Sequence, residues 1–189
     1  MNPAVSREAP RTPPSCCRVS IIIKALNEEK HIVATIESAL LAVATLDGEV
    51  ILADSCSTDR TVELARRYPI RIVQLTHAHE RCCGAGPQLG YQHSTGEFVY
   101  ILDGDMQMHS GFLEEALAFM MMHEDVAGVG GRIVERNTES LEYVARSERV
   151  SAHLLPGPVD RLDGGGLYRR SAIEAAGYLS DRNLHSYEE

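Results

Sequence analysis

The sequence is short of positive charge. Eighteen lysines and arginines stand against 27 aspartates and glutamates, a net charge of −9. A nucleic-acid binder needs a basic face to neutralise phosphates, so the balance argues against that class. It argues equally against adhesion to an anionic membrane by charge alone. The local pairs Arg66-Arg67 and Arg169-Arg170 read as solvated helix ends. Long hydrophobic runs are also missing: none approaches the ~18–20 residues that span a bilayer. The opening residues lack the apolar core of a signal peptide. A cysteine framework is absent as well. The five cysteines (Cys16, Cys17, Cys56, Cys82, Cys83) are odd in number and include two adjacent pairs, a poor basis for bridges. These absences together read as a reducing, cytoplasmic setting, with membrane association left to any sequence beyond residue 189.

What is present fits one globular domain. The chain has 189 residues, of which 44% are hydrophobic and 24% charged. That length suffices for a sizeable core. Residues 1–17 are proline-rich at first and aperiodic, and read as a disordered leader.

From residue 18 the pattern alternates. Val19-Ser20-Ile21-Ile22-Ile23 has the β-branched character of a strand buried on both faces. Asn27 before Glu28-Glu29 predicts a helix N-cap and an acidic first turn, with the helix running to about Leu46. Glu49–Ala53, Ile70–Leu75 and Phe98–Leu102 predict three further strands. Ser57-Thr58-Asp59 predicts the cap of a helix through Arg67, which Tyr68-Pro69 stops. Helices are predicted over Gly84–His93, His109–His123 and Ser140–Leu154, a fifth strand over Ala127–Glu135, and a loop over Leu155–Gly166. Strand and helix alternating at this spacing means βαβ units. The expected fold class is α/β, a mostly parallel Rossmann-like sheet flanked by helices.

Ligands in such sheets bind beyond the carboxyl ends of the strands. Three strands end in polar residues there: Lys24-Ala25-Leu26-Asn27-Glu28, Asp54-Ser55-Cys56-Ser57 and Asp103-Gly104-Asp105. This brings carboxylates together without a compensating cluster of lysines. In extended backbone Asp103 and Asp105 would project to one side, with Gly104 between them leaving room for a close approach. Paired carboxylates repel unless a proton or cation lies between them, and hard oxygen ligands suit Mg²⁺ or Mn²⁺. The bland alternative is a turn in which Asp103 caps and Asp105 is solvated. Asp54 could accept a hydrogen bond from a base or a ribose, or simply open the next helix. His77, His79, Cys82 and Cys83 match no zinc spacing and read as a surface loop. The Gly164-Gly165-Gly166 run, after Asp160 and Asp163, reads either as a flexible linker or as backbone that approaches a ligand.

In this order the segments resemble the family 2 glycosyltransferases of GT-A fold. The resemblance rests on Val19–Glu29, on Asp54-Ser55-Cys56-Ser57-Thr58-Asp59-Arg60-Thr61, on Gly96–Asp105 and on the Gly164–Gly177 stretch. It implies a nucleotide-binding half at about 18–105 and an acceptor-side half at about 106–189. It implies that Ala25, Asn27 and Glu28 line the base pocket, that Asp54 contacts uracil or ribose, and that Asp103 lies near the ribose and donor sugar. Asp105, with Asp103, would hold a divalent metal, Mn²⁺ or Mg²⁺, on the diphosphate. Glu188-Glu189 matches the family's acidic pair, so Glu189 would be the general base for an acceptor hydroxyl. The implied partners are a nucleoside diphosphate sugar, usually uridine-linked, and an acceptor of unknown identity. The sequence departs from the pattern where the family's arginine before the third helix is replaced within Gly86-Pro87-Gln88-Leu89-Gly90, with Arg81 as a candidate substitute. It also stops at the base position, as a truncated catalytic domain would. Two rival readings are a donor-binding fragment without turnover and a nucleotidyltransferase. The latter needs a glycine-rich basic loop after the first strand, where this chain has Lys24–Glu28.

Overall fold

The computed structural model describes residues 18–134, 157–159, 162 and 165–180. Val19–Ala25 forms β1, buried at six of its seven residues. The chain continues through α1 (Ile32–Val43), β2 (Gly48–Asp54), α2 (Thr61–Ala65) and β3 (Arg71–Gln74). A 3-10 turn at Ala78–Glu80 leads into α3 (Ala85–Gln92), β4 (Phe98–Asp103) and α4 (Phe112–Met122). Two short strands, β5 (Gly128–Val129) and β6 (Gly166–Arg169), and α5 (Arg170–Ala176) complete the described elements.

Among these residues the sheet has six strands in the order β3-β2-β1-β4-β6-β5. The first four pair in parallel, and β6 runs antiparallel between β4 and β5. The expected α/β class is therefore observed. The isoleucine run of β1 explains why both faces are covered. Ile21 and Ile23 pack with Ile32, Ile36, Leu113 and Met120 of α1 and α4. Ile22 points to the other layer, with Ala53, Val99, Ile101 and Ile173. Burying each isoleucine contributes about 1.5–3 kcal/mol relative to exposure. Helix α3 closes tightly on β1: a Cβ at Gly90 would lie 2.3 Å from Ile22 Cγ2, so only glycine allows this approach.

Three expectations are corrected. Asn27 does not cap a helix that starts at Glu28. Its backbone is left-handed (φ 59°), and α1 begins only at Ile32, after a turn in which the Glu28 carbonyl accepts from His31 and Ile32. The fifth strand is two residues long, because Gly130 and Gly131 follow and offer no side chains to a ladder. Gly131 instead packs on the Phe112 ring, where a Cβ would stand 2.5 Å from the ring edge. The third is an omission: Gly166–Arg169, where the sequence predicts the end of a loop and a glycine-rich stretch, is strand β6 with Leu167 fully buried. The leader and the Ser140–Leu154 helix lie outside the described residues.

The topology places the candidate site. From β1 the chain steps outward through β2 to β3, then returns to lay β4 on the opposite side of β1. The strand order thus reverses between β1 and β4, the position where open α/β sheets hold ligands.

Candidate functional site

At that reversal point Lys24 of β1 pairs in register with Asp103 of β4, and Ala25 pairs with Asp54 of β2. The sheet alone therefore brings the ends of β1, β2 and β4 to one crevice. Ala25 is buried and Asp54 is fully buried. The Asp54 carboxylate accepts from the Ser57 backbone N–H at 3.1 Å and from Gln74 Nε2 at 3.1 Å. Sequence reasoning missed Gln74, because only the β2–β3 register reveals it opposite Asp54.

The two polar loops beyond β1 and β2 interlock. Asn27 Oδ1 accepts from the Thr58 N–H at 2.8 Å. The Asn27 N–H donates to Ser57 Oγ, the Glu28 N–H to Thr61 Oγ1 and the Glu29 N–H to an Asp59 oxygen. Glu29 returns a bond by accepting from the Arg60 N–H. Asp59 also accepts from the Thr61 N–H at 2.9 Å. Each loop therefore satisfies the other's backbone donors, and both Asn27 and Cys56 are held left-handed within the clasp. Ser57, Thr58, Asp59 and Thr61 support the crevice through this clasp. Arg81 joins its rim, donating from Nη2 to the Cys56 carbonyl.

The Asp-Gly-Asp segment is a pinned turn. Strand β4 ends at Asp103, whose carbonyl accepts from the Met106 N–H at 3.0 Å. The expected i, i+2 projection from extended backbone therefore does not apply to Asp105, which lies exposed in the turn. The Gly104 N–H donates to the Lys24 carbonyl at 2.9 Å, and its own carbonyl accepts from Thr35 Oγ1 at 2.8 Å in a buried bond. A Cβ on Gly104 would meet Glu28 Cγ at 2.8 Å, so glycine lets Glu28 press against the turn.

The electrostatics follow from this packing. Burial first, and then the charge of Asp105, hold the Glu28 carboxyl above its ordinary range, with Asp59 and Asp103 adding to the effect and His31 opposing it. Burial and the Asp103 charge push the Tyr100 phenol up to about 12. Among the described residues the crevice contains a compensating cation that sequence reasoning did not pair. Lys24 Nζ lies 3.0 Å from Asp103 Oδ1, with both side chains 28% exposed.

Among the described residues no group of three or more His, Cys, Asp or Glu side chains is placed to hold a metal ion. Mg²⁺ and Mn²⁺ do not require one, since one or two carboxylates and substrate phosphates commonly suffice. Asp103 and Asp105 lie on one turn, with Glu28 pressed against Gly104 between them. His77 and His79 stack at 5.3 Å on the exposed loop before α3. Glu188 and Glu189 lie outside the described residues, as do Asp160, Asp163 and Gly164.

Residues 20–176 match the Glycosyl transferase family 2 profile. The chain belongs to glycosyltransferase family 2. This family 2 domain is 27% identical over 130 residues to the poly(ribitol-phosphate) beta-N-acetylglucosaminyltransferase TarS of Staphylococcus aureus (strain Mu50 / ATCC 700699). The match covers 64% of the chain but 23% of that relative. It is 25% identical over 122 residues to the dolichol-phosphate mannosyltransferase of Pyrococcus furiosus, covering 62% of the chain and 34% of the relative. The domain therefore spans about a quarter to a third of these two relatives. In fold it resembles the crystal structure of S. aureus TarS 1-349 in complex with UDP, with a TM-score of 0.66 at 22% identity over 90% of this chain and 52% of that one. It also resembles Mycobacterium tuberculosis glucosyl-3-phosphoglycerate synthase in complex with Mn²⁺, UDP and phosphoglyceric acid. That TM-score is 0.58 at 23% identity, over 82% of this chain and 56% of that one. No helix among the described residues is long and apolar enough to cross a membrane.

Proposed function

We propose that this family 2 domain transfers a sugar from a nucleoside diphosphate sugar, uridine-linked, to an acceptor hydroxyl with inversion. The observation that carries the reading is the meeting of Ala25, Asp54 and the Asp103-Gly104-Asp105 turn where the strand order reverses. Two fold relatives have structures with bound UDP, one of them with Mn²⁺ as well, which supports the choice of donor and metal.

In this reading the nucleoside lies over the ends of β1 and β2. Ala25 is small enough to leave room for the base. Asp54, fully buried and fixed by Ser57 and Gln74, lies beneath this position, and a base N–H or a ribose hydroxyl would take the place of the Gln74 amide to meet its carboxylate. Glu28 walls the pocket beside Gly104. Asn27 acts through its clasp with Thr58, which sets the path of the chain between Ala25 and Glu28. Asp105 is the principal carboxylate for a divalent cation, Mn²⁺ or Mg²⁺, and Asp103 stands next to it facing the ribose and donor sugar. Such a cation, when bound, supplies charge neutralisation for the departing diphosphate. Glu189, beside Glu188, takes the proton of the acceptor hydroxyl. That oxygen forms the new bond to the anomeric carbon as the bond to the diphosphate oxygen breaks.

Calorimetric titration of UDP in Mn²⁺ tests the donor site. Binding should be measurable with the native chain and lost in Asp105→Ala. Equal binding by the two proteins would remove Asp105 from the donor site. Binding of a UDP-sugar with no transfer or hydrolysis of its sugar would instead favour a donor-binding unit without turnover.

A further inference from the structure

We infer that Lys24 is a positioning residue that acts as a built-in cation for Asp103, so that the divalent metal is left to Asp105 and the donor diphosphate. The inference rests on the donor-site reading above.

The geometry begins with the sheet. Lys24 and Asp103 are register partners on adjacent parallel strands, β1 and β4, so their separation is set by backbone pairing. The Lys24 backbone is fixed a second time, because its carbonyl accepts from the Gly104 N–H at 2.9 Å. The first turn of α3 lies close to its Cβ: a Cβ on Gly86 would stand 3.5 Å from Lys24 Cβ. The ammonium then reaches Asp103 Oδ1 at 3.0 Å, with both side chains about three-quarters removed from solvent. A largely buried, preorganised pair of this kind is screened less by salt than a surface pair.

The consequence for a metal is competitive. A carboxylate oxygen that already faces an ammonium is a poorer ligand, and the ammonium also repels a second cation nearby. Among the described residues no ion pair engages Asp105: it is exposed in the turn, and its charge is felt by Glu28. The metal-free protein should therefore hold Mn²⁺ weakly, through Asp105. Diphosphate oxygens supply the missing ligands, which makes metal and donor bind as a pair. Lys24 would then make metal uptake conditional on the donor.

Free Mn²⁺, counted by electron paramagnetic resonance during titration of the full chain, tests this without recourse to turnover. In the absence of nucleotide, Lys24→Met should bind Mn²⁺ at least about tenfold more tightly than the native protein, and Lys24→Arg should resemble the native protein. In the native background Asp105→Asn should lose at least about thirtyfold in Mn²⁺ affinity in the presence of UDP, a clearly larger loss than Asp103→Asn shows. This second comparison stands even if Lys24→Met fails to fold. Unchanged Mn²⁺ affinity in folded Lys24→Met, or equal losses in Asp103→Asn and Asp105→Asn, would overturn the role of Lys24 and leave the donor site standing. No Mn²⁺ uptake by the native protein even with UDP would overturn the donor-site reading and this inference with it.

Discussion

Replacing Asn27 separates a supporting role from a binding one. The resemblance to the family places Asn27 in the base pocket, whereas the structure engages its Oδ1 with Thr58 and holds its backbone at φ 59°. Asn27→Gly loses the side-chain acceptor but suits the left-handed backbone. The lost hydrogen bond costs about 0.5–1.5 kcal/mol, and the Thr58 N–H can turn to water because the bond is exposed. Asn27→Ala loses the same bond and keeps a Cβ in the left-handed region without the short polar side chain that makes asparagine tolerant there, a further ~1 kcal/mol. The expected order of stability is native, then glycine, then alanine, with alanine about 2 kcal/mol below native. Urea unfolding followed by circular dichroism measures this directly, with an unchanged slope as the sign that only stability moved. At low urea, where all three proteins are folded, Asn27→Gly should keep its affinity for UDP in Mn²⁺ within about threefold. A glycine variant as stable as the native chain but unable to bind UDP would refute the reasoning, because the side chain would then be a ligand contact and not part of the clasp.

The α3–β1 contact gives a second test: Gly90→Ala drives a Cβ to 2.3 Å from Ile22 Cγ2 and should cost about 1–3 kcal/mol in urea unfolding. Thr35→Val removes the buried donor to the Gly104 carbonyl, which should cost about 1–3 kcal/mol and weaken Mn²⁺-dependent UDP binding more than Gly90→Ala does, as seen by calorimetry. Glu28 supplies a pH test in chelator. Its folded carboxyl is held above the ordinary range by burial and by Asp105, so the folded state binds that proton more tightly than the unfolded chain. Its ionised form therefore destabilises the fold at neutral pH, and the loss is relieved as pH falls through the raised value. Glu28→Gln should melt higher than the native protein at about pH 7, with the gap closing toward about pH 4. A gap that widens on acidification would contradict the assigned cause.

Much of the fold was legible because burial on two faces leaves an uninterrupted β-branched signature, as in Ile21-Ile22-Ile23. The site was legible for a related reason. In a parallel sheet the polar residues that follow each apolar run collect on one edge, which brought Ala25, Asp54 and Asp103 together without knowledge of strand order. What escaped depended on register or on local backbone. Lys24 could be paired with Asp103, and Gln74 with Asp54, only once β1–β4 and β2–β3 were aligned. Asn27 has the chemistry of both an N-cap and a left-handed turn, and the choice was made by Thr58, 31 residues away. Strand β6 is four residues long and begins with a glycine, so periodicity had nothing to act on. The base assigned to Glu189 rests on resemblance alone, since that residue lies outside the described part of the chain.

The most direct test of the donor site is a thermal-shift titration of the full chain with nucleoside diphosphates, with and without Mn²⁺. At a hundredfold excess over its dissociation constant, a bound ligand stabilises by about 2.7 kcal/mol. Each kcal/mol raises the melting temperature of a chain this size by about 2–4 °C. The account predicts a rise of several degrees that requires UDP and Mn²⁺ together and vanishes in Asp105→Ala. A UDP shift of equal size in chelator, or one that survives in Asp105→Ala, would contradict it.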